Sequence, residues 1–358
     1  MLNRLFPPKK NLMLGVDIGS HSIKAVLLSQ QAGHYKVEAI AIEPMPADVM
    51  VDRDIRDIEA VSQAIGRLRR QLDKSIRDVA TAVSGAQVIS KVILMNPELD
   101  DDDLWRQIEL DAESLIPYPL HEVSLDFEVL GSDSRTGQSQ VLLTAARTVT
   151  VQSRVSALEQ AGFVTKVVDV ESASLSRAVP LCYAQLPADA MTKRVAVLDI
   201  GASLTLLCIV QGDQLLYSRD LAFGGLHYTN AIAAFYGKTP AEAERAKQLF
   251  DLPPSASFEV TAPFQTQLLQ QLRRALQMYL TTSGVEQVDY ILLSGGSACL
   301  PGLAQLLADE LAIHTVLADP LGQMQWGAAA DKSRFAGQSC SLLIACGLAL
   351  RGFSPCHL

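Results

Sequence analysis

Two short stretches of the sequence carry an acid, a glycine and small polar residues at a bend between apolar segments. The first is LMLGVDIGSHSIKAVLL (residues 12–28), and VAVLDIGASLTLLCIV (195–210) repeats its Asp-Ile-Gly pattern 182 residues later. An ordinary two-residue β-hairpin turn needs a Gly or an Asn-Gly pair and no acid. Backbone N–H groups and hydroxyls at such a bend can hold phosphate oxygens, and an aspartate can hold a divalent cation through water. The two bends therefore predict hairpins that clamp the phosphates of one ligand between them.

A third glycine-rich bend follows a strand pattern in ILLSGGSACLPG (291–302). Glycine lets a backbone approach a base and a ribose closely. A single Asp-Ile-Gly bend is more often a tight turn that carries an acid by chance. Two acid–glycine bends followed by a strand, a Gly-Gly bend and a helix favour a nucleotide site instead.

Alternating strand and helix patterns surround these bends. Apolar residues recur at helical spacing over 57–73, which predicts an amphipathic helix. The second half of the chain restarts the strand order of the first, and a buried apolar helix is predicted over 340–350. Residues 86–165 have a different order of strand and helix patterns, which is typical of a small α+β module. We therefore expect an internal duplication with a cleft between its halves and an insertion in the first half.

The composition narrows the class of protein. The 358 residues carry a net charge of −9, with 49% hydrophobic and 19% charged residues, which indicates two globular domains and argues against coating nucleic acid or anionic lipid. The six cysteines include no CxxC pair, so neither a disulfide framework nor a zinc site is predicted, and a reducing compartment fits best. The N-terminal stretch MLNRLFPPKKN does not read as a signal peptide, and no apolar run is long enough to span a bilayer.

Several segments together resemble the PilM family of type IV pilus assembly proteins, within the actin-like ATPase superfamily. They are the two Asp-Ile-Gly bends and LLSGGSACLPGL, together with AESLIPYPLHEVSLDFEVL, FGGLHYTNAIAAFYG and CGLALRGF. The resemblance implies an α/β, actin-like (ribonuclease H-like) duplicated two-domain fold with a small inserted α+β subdomain. It divides the chain into the first half of domain I (1–85), the inserted partner-binding subdomain (86–165), the rest of domain I with a connecting helix (166–190), domain II (191–335) and a C-terminal helix returning to domain I (336–358).

The same resemblance implies ATP and Mg²⁺ as cofactors and a set of binding residues. Those expected beside the phosphates and the metal are Asp17, Gly19, Ser20, Ser22 and Lys24 on the first hairpin, and Asp199, Gly201, Ala202 and Ser203 on the second. Gly224 and Gly225 are expected near the phosphates or the ribose, Glu244 and Lys247 near the nucleoside, and Gly295, Gly296 and Ser297 near the base and the ribose. Asp17 and Asp199 would hold Mg²⁺ through water. A solvated strand-end lysine is the alternative for Lys24, and an exposed helix face is the alternative for Glu244 and Lys247.

Catalysis is expected to be weak. Attack on a γ-phosphate needs a residue that orients water. The resemblance makes Glu171 the candidate, with Asp199 as the other carboxylate that could assist. Because Ala202 stands where a hydroxyl could be and the chain after Ser203 is apolar, slow turnover or a structural role for the nucleotide is predicted.

The resemblance also implies the partners. The chain is expected to be a cytoplasmic scaffold, peripheral at the inner membrane, that holds the N-terminal tail of PilN and links the pilus motor to the alignment proteins. Other motor and platform proteins and self-association are further expected contacts, whereas direct contact with nucleic acid or membrane is not expected. The tail would lie in a groove between the first half and the insertion that begins near Ala86, paired with a sheet edge.

Two rival functions remain open at this point. An FtsA-like division or polymerising ATPase would be expected to end in an amphipathic membrane helix, whereas this sequence ends in GFSPCHL. A small-molecule kinase would need a general base at the cleft, and the histidines near the bends, His21 and His227, are each expected to be neutral neighbours instead.

Overall fold

The computed structural model describes residues 12–51, 53–133, 135–327, 330–335 and 337–353. Two stretches discussed above lie outside the described residues. They are the N-terminal stretch MLNRLFPPKKN (1–11) and the last five residues of GFSPCHL (354–358). The strands are β1 Leu14–Ile18, β2 Ser22–Gln31, β3 His34–Pro44, β4 Met50–Val51, β5 Asp54–Ile55, β6 Asp78–Val83, β7 Val88–Met95, β8 Val123–Ser132, β9 Ser139–Arg147, β10 Val164–Val170, β11 Val195–Ile200, β12 Thr205–Gln211, β13 Gln214–Leu221, β14 Tyr290–Ser294, β15 His314–Leu317 and β16 Gln325–Trp326. The α-helices are α1 Ile58–Arg69, α2 Asp101–Leu115, α3 Thr148–Gln160, α4 Glu171–Ala178, α5 Gly225–Tyr236, α6 Pro240–Leu249, α7 Ala262–Ser283, α8 Leu303–Leu311 and α9 Leu343–Ala349.

The two large sheets repeat one topology. In the first sheet the order is β3-β2-β1-β6-β10, with β16 added beyond β3, and in the second it is β13-β12-β11-β14-β15. In each sheet the first two pairings are antiparallel and the last two are parallel. The internal duplication predicted from the repeated bends is therefore confirmed.

Helix α1 illustrates how the sequence pattern becomes structure. The carboxylate of Asp57 accepts a hydrogen bond from the Ala60 N–H (2.9 Å), which satisfies one of the unpaired donors at the start of a helix. Val61, Ile65 and Leu68 are fully buried against the first sheet, as expected from their spacing.

A small third sheet lies between β6 and α3 in the chain. Its order is β7-β9-β8, and helix α2 covers it by burying Leu104, Ile108 and Ala112 against Val141 and Leu143. Helix α3 packs elsewhere, because Ala157 and Leu158 belong to the core between α1 and the first sheet. The insertion's own sheet thus spans 88–147, which lies inside the predicted range of 86–165.

Helices α4 and α9 lie between the two large sheets. One core cluster contains side chains from both sheets together with Leu175 of α4 and every residue of α9 except Gly347. A Cβ at Gly15 would overlap the Ala345 carbonyl, and a Cβ at Gly347 would overlap the Ser174 carbonyl. Glycine at these two positions therefore lets β1, α9 and α4 pack in direct backbone contact. Among the described residues, no helix is both long enough and apolar enough to cross a membrane.

Candidate functional site

The two Asp-Ile-Gly bends form matching hairpin turns that touch each other. The Gly19 N–H donates to the Ser22 carbonyl (3.1 Å), and the Gly201 N–H donates to the Leu204 carbonyl (3.0 Å). The hydroxyls of Ser20 and Ser203, one from each half of the chain, are hydrogen-bonded at 3.1 Å. The structure thus brings together two turns that are 182 residues apart in the sequence.

A cavity of about 500 Å³ lies against these turns. This volume is within the range of ordinary small-molecule sites, about 300–1,000 Å³. The predicted site residues that line it are Asp17, Gly19, Ser20, Ser22, Lys24, Glu171, Asp199, Gly201, Ala202, Ser203, Glu244, Lys247, Gly296 and Ser297. Gly224, Gly225 and Gly295 are not among its lining residues.

Asp17 and Lys24 form an ion pair across the first hairpin. They are opposite each other in the β1–β2 register, with Lys24 Nζ 3.2 Å from Asp17 Oδ2. Asp17 is only 6% exposed, and an unpaired charge would be unfavourable there. Lys24 therefore lies in the cavity wall as a partner of Asp17, not as the solvated lysine of the alternative reading.

Asp199 has a different environment at the matching position. Its Oδ2 accepts a hydrogen bond from the Ser294 hydroxyl (2.7 Å). Burial raises the pKa of Asp199, and the nearby charge of Asp17 also raises it, while the Ser294 hydrogen bond and Lys24 lower it less strongly. A cation close to both carboxylates would relieve the penalty of burying Asp199.

Glu171 is buried and forms an ion pair with Arg53. Arg53 has a positive φ of +71°, which is uncommon for a residue with a side chain, and lines the same cavity. Sequence reasoning missed Arg53 because it belongs to no recognisable motif. The carboxylate predicted to orient water is therefore already engaged by a guanidinium.

Glu244 and Lys247 belong to one hydrogen-bonded network on α6. Lys247 Nζ is 2.6 Å from Glu244 Oε2 and donates to the Thr229 hydroxyl at 2.9 Å. Thr229 in turn donates to Glu244 at 2.5 Å. Burial acts to raise the pKa of Glu244, but the hydrogen bonds from Lys247 and Thr229 and the charge of Lys247 outweigh it, so the pKa is lowered. These side chains form a fixed, charged wall of the cavity.

His21, at the tip of the first hairpin, reaches the same helix of the other half. Its Nε2 is 3.0 Å from the Gln248 side-chain nitrogen and 3.6 Å from Glu244 Oε1. Burial lowers the pKa of His21, while Glu244 acts to raise it. Gln248 was not predicted, and its role is evident only once α6 is packed against the hairpin.

Three of the predicted glycines support the site from behind. A Cβ at Gly224 would lie 2.6 Å from the Ala202 carbonyl, and one at Gly295, where φ is +91°, would lie 2.5 Å from the Ile200 carbonyl. A Cβ at Gly225 would overlap the Ser297 hydroxyl. Gly296 differs: it lines the cavity, and apart from its chain neighbours no atom of the described residues lies within 4 Å of its Cβ position.

A second, smaller cavity of about 250 Å³ lies between the first half and the insertion. Asp54, Gln87 and Thr150 line it, and the Asp54 carboxylate accepts hydrogen bonds from Gln87 (2.7 Å) and Thr150 (3.2 Å). Behind them, the fully buried Arg154 donates to the Arg53 carbonyl (2.8 Å). Because Arg53 and Asp54 are adjacent in the chain, one short segment contributes a wall residue to each cavity.

Comparison with known proteins identifies the family. The profile described as "Type IV pilus assembly protein PilM" matches residues 15–353. The chain belongs to the PilM family. Its structure is similar to a solved chain described as "PilM-PilN type IV pilus biogenesis complex", with 29% identity, a TM-score of 0.82 and coverage of 97% of this chain and all of that one.

More distant similarities of this PilM-family chain agree with the fold. MreB 5 of Spiroplasma citri bound to AMPPNP matches with 11% identity and a TM-score of 0.50 over 95% of both chains. The cell division protein FtsA of Escherichia coli (strain K12) is 23% identical over 346 residues, which cover 82% of this chain and 81% of that protein. The predicted actin-like, duplicated α/β fold is confirmed.

Proposed function

We propose that this PilM-family chain is an ATP-binding, actin-like scaffold of the type IV pilus machinery. It works as a peripheral protein on the cytoplasmic side of the inner membrane and links the pilus motor to the alignment complex by binding the N-terminal tail of PilN. The observation that carries the nucleotide part is the contact between Ser20 and Ser203 beside a cavity of about 500 Å³. Phosphates bound there would meet N–H groups and hydroxyls from both halves at once. The similarity to MreB 5 bound to AMPPNP supports the same ligand class.

The residues present also fit Mg²⁺. This ion keeps several waters and uses one or two carboxylates together with substrate phosphates. Asp17 and Asp199 supply those carboxylates, and the raised pKa of Asp199 is what a neighbouring cation would relieve. Bound there, the ion would neutralise phosphate charge.

Hydrolysis in this proposal is slow. Glu171 could accept a proton or orient water only if its carboxylate were free, and Arg53 occupies it. The nucleotide then acts mainly by holding the two hairpins, and with them the two halves, in one arrangement.

The PilN part of the proposal assigns the tail to the groove at the second cavity. Support comes from the similarity to the PilM chain solved in a PilM–PilN complex. Strands β7 and β8 are the outer strands of the insertion's sheet, so their edges can pair with an extended peptide. Both also carry exposed apolar side chains, which are Val92 and Leu94 on β7 and Val129 on β8. Since Arg53 faces one cavity and Asp54 the other, nucleotide and tail should stabilise each other by about 1–3 kcal/mol.

Isothermal titration calorimetry tests both parts. A peptide of the PilN N-terminal tail is titrated into the protein with and without Mg²⁺-ATP, and Mg²⁺-ATP is titrated with and without the peptide. We expect both ligands to bind and each to tighten the other by the same factor. Gln87→Ala should weaken the peptide, while Mg²⁺-ATP binding in the absence of peptide stays unchanged. Phosphorylation of a hexose by the protein in the presence of ATP would favour the kinase alternative. If calorimetry detected no binding of Mg²⁺-ATP, the nucleotide site would be rejected.

A further inference from the structure

Two cysteines with no role in the proposed function lie in contact beside the cavity. The sulfur atoms of Cys299 and Cys340 are 2.6 Å apart, although the residues are 41 positions apart in the chain. Cys299 lies on the glycine-rich loop after β14, and Cys340 lies on the short 3₁₀ helix Ser339–Leu342 that leads into α9. Cys299 lines the cavity and is partly exposed, whereas Cys340 is buried behind it.

The backbone holds the two segments in place. The Gly295 N–H donates to the Cys340 carbonyl (3.0 Å), and the Cys299 thiol is 3.5 Å from the Gly337 carbonyl, to which it donates. The thiols are therefore brought together by a fixed loop and a fixed helix, so that pairing them requires little movement of the chain.

The pair is also chemically asymmetric. The hydrogen bond from the Cys340 thiol lowers the pKa of Cys299 and raises that of Cys340. A thiolate is the reactive form of cysteine, and it reacts where solvent can reach it. By contrast, burial raises the pKa of Cys182 to about 12 and also raises that of Cys346, and both belong to the core between the sheets.

We propose that Cys299 and Cys340 form a reversible disulfide whose oxidant is a hydroperoxide. The Cys299 thiolate attacks one peroxide oxygen, the O–O bond breaks, and the departing hydroxide takes a proton to become water, which leaves a sulfenic acid on Cys299. The Cys340 sulfur then attacks the Cys299 sulfur, the S–O bond breaks, and a second water leaves with the Cys340 proton. Two thiols are thus oxidised to one disulfide while one hydrogen peroxide is reduced to two waters. A dithiol reductant reverses the reaction by exchange.

The disulfide would fasten the glycine-rich loop to the segment that carries α9. Because α9 packs against β1 and α4, the bond would tie a loop of the second half to the helix pair between the halves. Peroxide would then act on the cavity wall directly, and this inference does not depend on which ligand occupies the cavity.

Peptide mapping by mass spectrometry tests the proposal on the full-length, ligand-free protein. After treatment with hydrogen peroxide and blocking of the remaining thiols, we expect a cross-linked peptide pair that contains Cys299 and Cys340, and its loss after dithiothreitol. The oxidised protein should unfold at a higher temperature than the reduced protein, because the bond closes a loop in the unfolded chain.

The controls separate the pair from general oxidation. Cys299→Ser, at the more exposed position, should abolish the cross-link and the rise in unfolding temperature, whereas Cys346→Ala should keep both. Should Cys340→Ser fold poorly, Cys299→Ser alone still decides the matter. Independent alkylation of Cys299 and Cys340 after oxidation, or a cross-link from Cys299 to Cys356 instead, would overturn the proposal.

Discussion

The two hairpins have the same backbone and different chemistry. In the first, Asp17 is opposite Lys24 in the strand register. In the second, Asp199 is opposite Leu206, and both residues lie 182 positions after their counterparts in the first. The first hairpin also carries hydroxyls at Ser20 and Ser22, where the second has Ala202 and Leu204. Both halves of the duplicated fold therefore contain the same turn. The ion pair across the hairpin is present in the first half, where Asp17 is opposite Lys24.

The second hairpin has instead become a packing surface. The Gly225 and Leu226 N–H groups donate to the Gly201 and Ala202 carbonyls at 2.9 and 2.8 Å, so the start of α5 rests directly on the turn. The comparison indicates that the first hairpin carries a carboxylate with its own lysine partner, whereas the second carries the carboxylate of Asp199 and also fixes the shape of the cavity by its contact with α5. The predictions below separate these two contributions.

The largest effect is expected where the second hairpin meets α5. Gly224→Val adds a Cβ that would come within 3 Å of three backbone atoms of Gly201 and Ala202. Overpacking against backbone, which cannot yield as a side chain can, should lower the free energy of unfolding by about 3 kcal/mol. Urea unfolding measures this change.

Gly296→Val is the matched control for that substitution. Within the described part of the chain, and leaving out its two neighbours in sequence, its Cβ position meets no atom within 4 Å, so stability should stay within about 0.5 kcal/mol of the original protein. The added side chain should weaken the binding of adenosine and of ATP to the same extent. Equal stability of the two variants would contradict the packing role of the second hairpin, and loss of ATP alone would contradict the assignment of Gly296 to the nucleoside.

The next effect concerns the charge pair of the first hairpin. Asp17→Ala should weaken Mg²⁺-ATP about tenfold to a hundredfold, since hydrogen bonds to charged groups contribute about 1.5–3 kcal/mol. ATP binding without Mg²⁺ should change little, and calorimetry with and without a chelator measures both. In Asp17→Ala, Lys24 loses its partner, and this could itself change the affinity for Mg²⁺-ATP. The double variant Asp17→Ala/Lys24→Ala has no such unpaired lysine, so a weaker affinity there is due to the loss of Asp17. Unchanged Mg²⁺-ATP affinity in Asp17→Ala would remove this residue from the site.

The sequence was a good guide to the site where a motif recurs and a poor guide where tertiary packing decides. Asp17 and Asp199 could be found because each lies near the end of an apolar strand and two residues before a glycine. Arg53, Gln248 and the Cys299 contact could not, because each depends on how distant segments meet. Helix α3 shows the same limit: its apolar residues predict a helix, but the pattern does not tell whether it covers the insertion or, as observed, the core beside α1.

A smaller effect should appear in the pH dependence contributed by Asp199. Because its pKa is raised in the folded protein, the folded state holds the proton more tightly, and stability falls as pH rises above the ordinary value of 3.8. Asp199→Asn removes this penalty, so the unfolding free energy of the variant should exceed that of the original protein by about 1.4 kcal/mol more for each pH unit between the ordinary pKa and the raised pKa of the folded protein. Urea unfolding from acidic to neutral pH measures the difference. A constant difference would show that the carboxylate carries no such penalty.

The smallest effect is expected at the tip of the first hairpin, where His21 contacts α6 of the other half. The pKa of His21 is lowered in the folded protein, so the unfolded chain binds its proton more readily and stability falls as pH drops below 6.5. His21→Gln retains a group that can accept from Gln248 but does not titrate. Between about pH 7.5 and 5.5, the original protein should therefore lose more unfolding free energy than this variant. The difference should be below about 1 kcal/mol, because the His21 side chain is 44% exposed and water screens its charge. His21→Ala, which removes both the acceptor and the titration, should share the weaker pH dependence of His21→Gln at a lower overall stability. If all three proteins lost stability in parallel, the titration of His21 would contribute nothing to the pH dependence. If His21→Ala were also as stable as the other two, the contact between His21 and Gln248 would contribute nothing to holding the halves together, and that task would fall to the Ser20–Ser203 contact and the helices between the sheets.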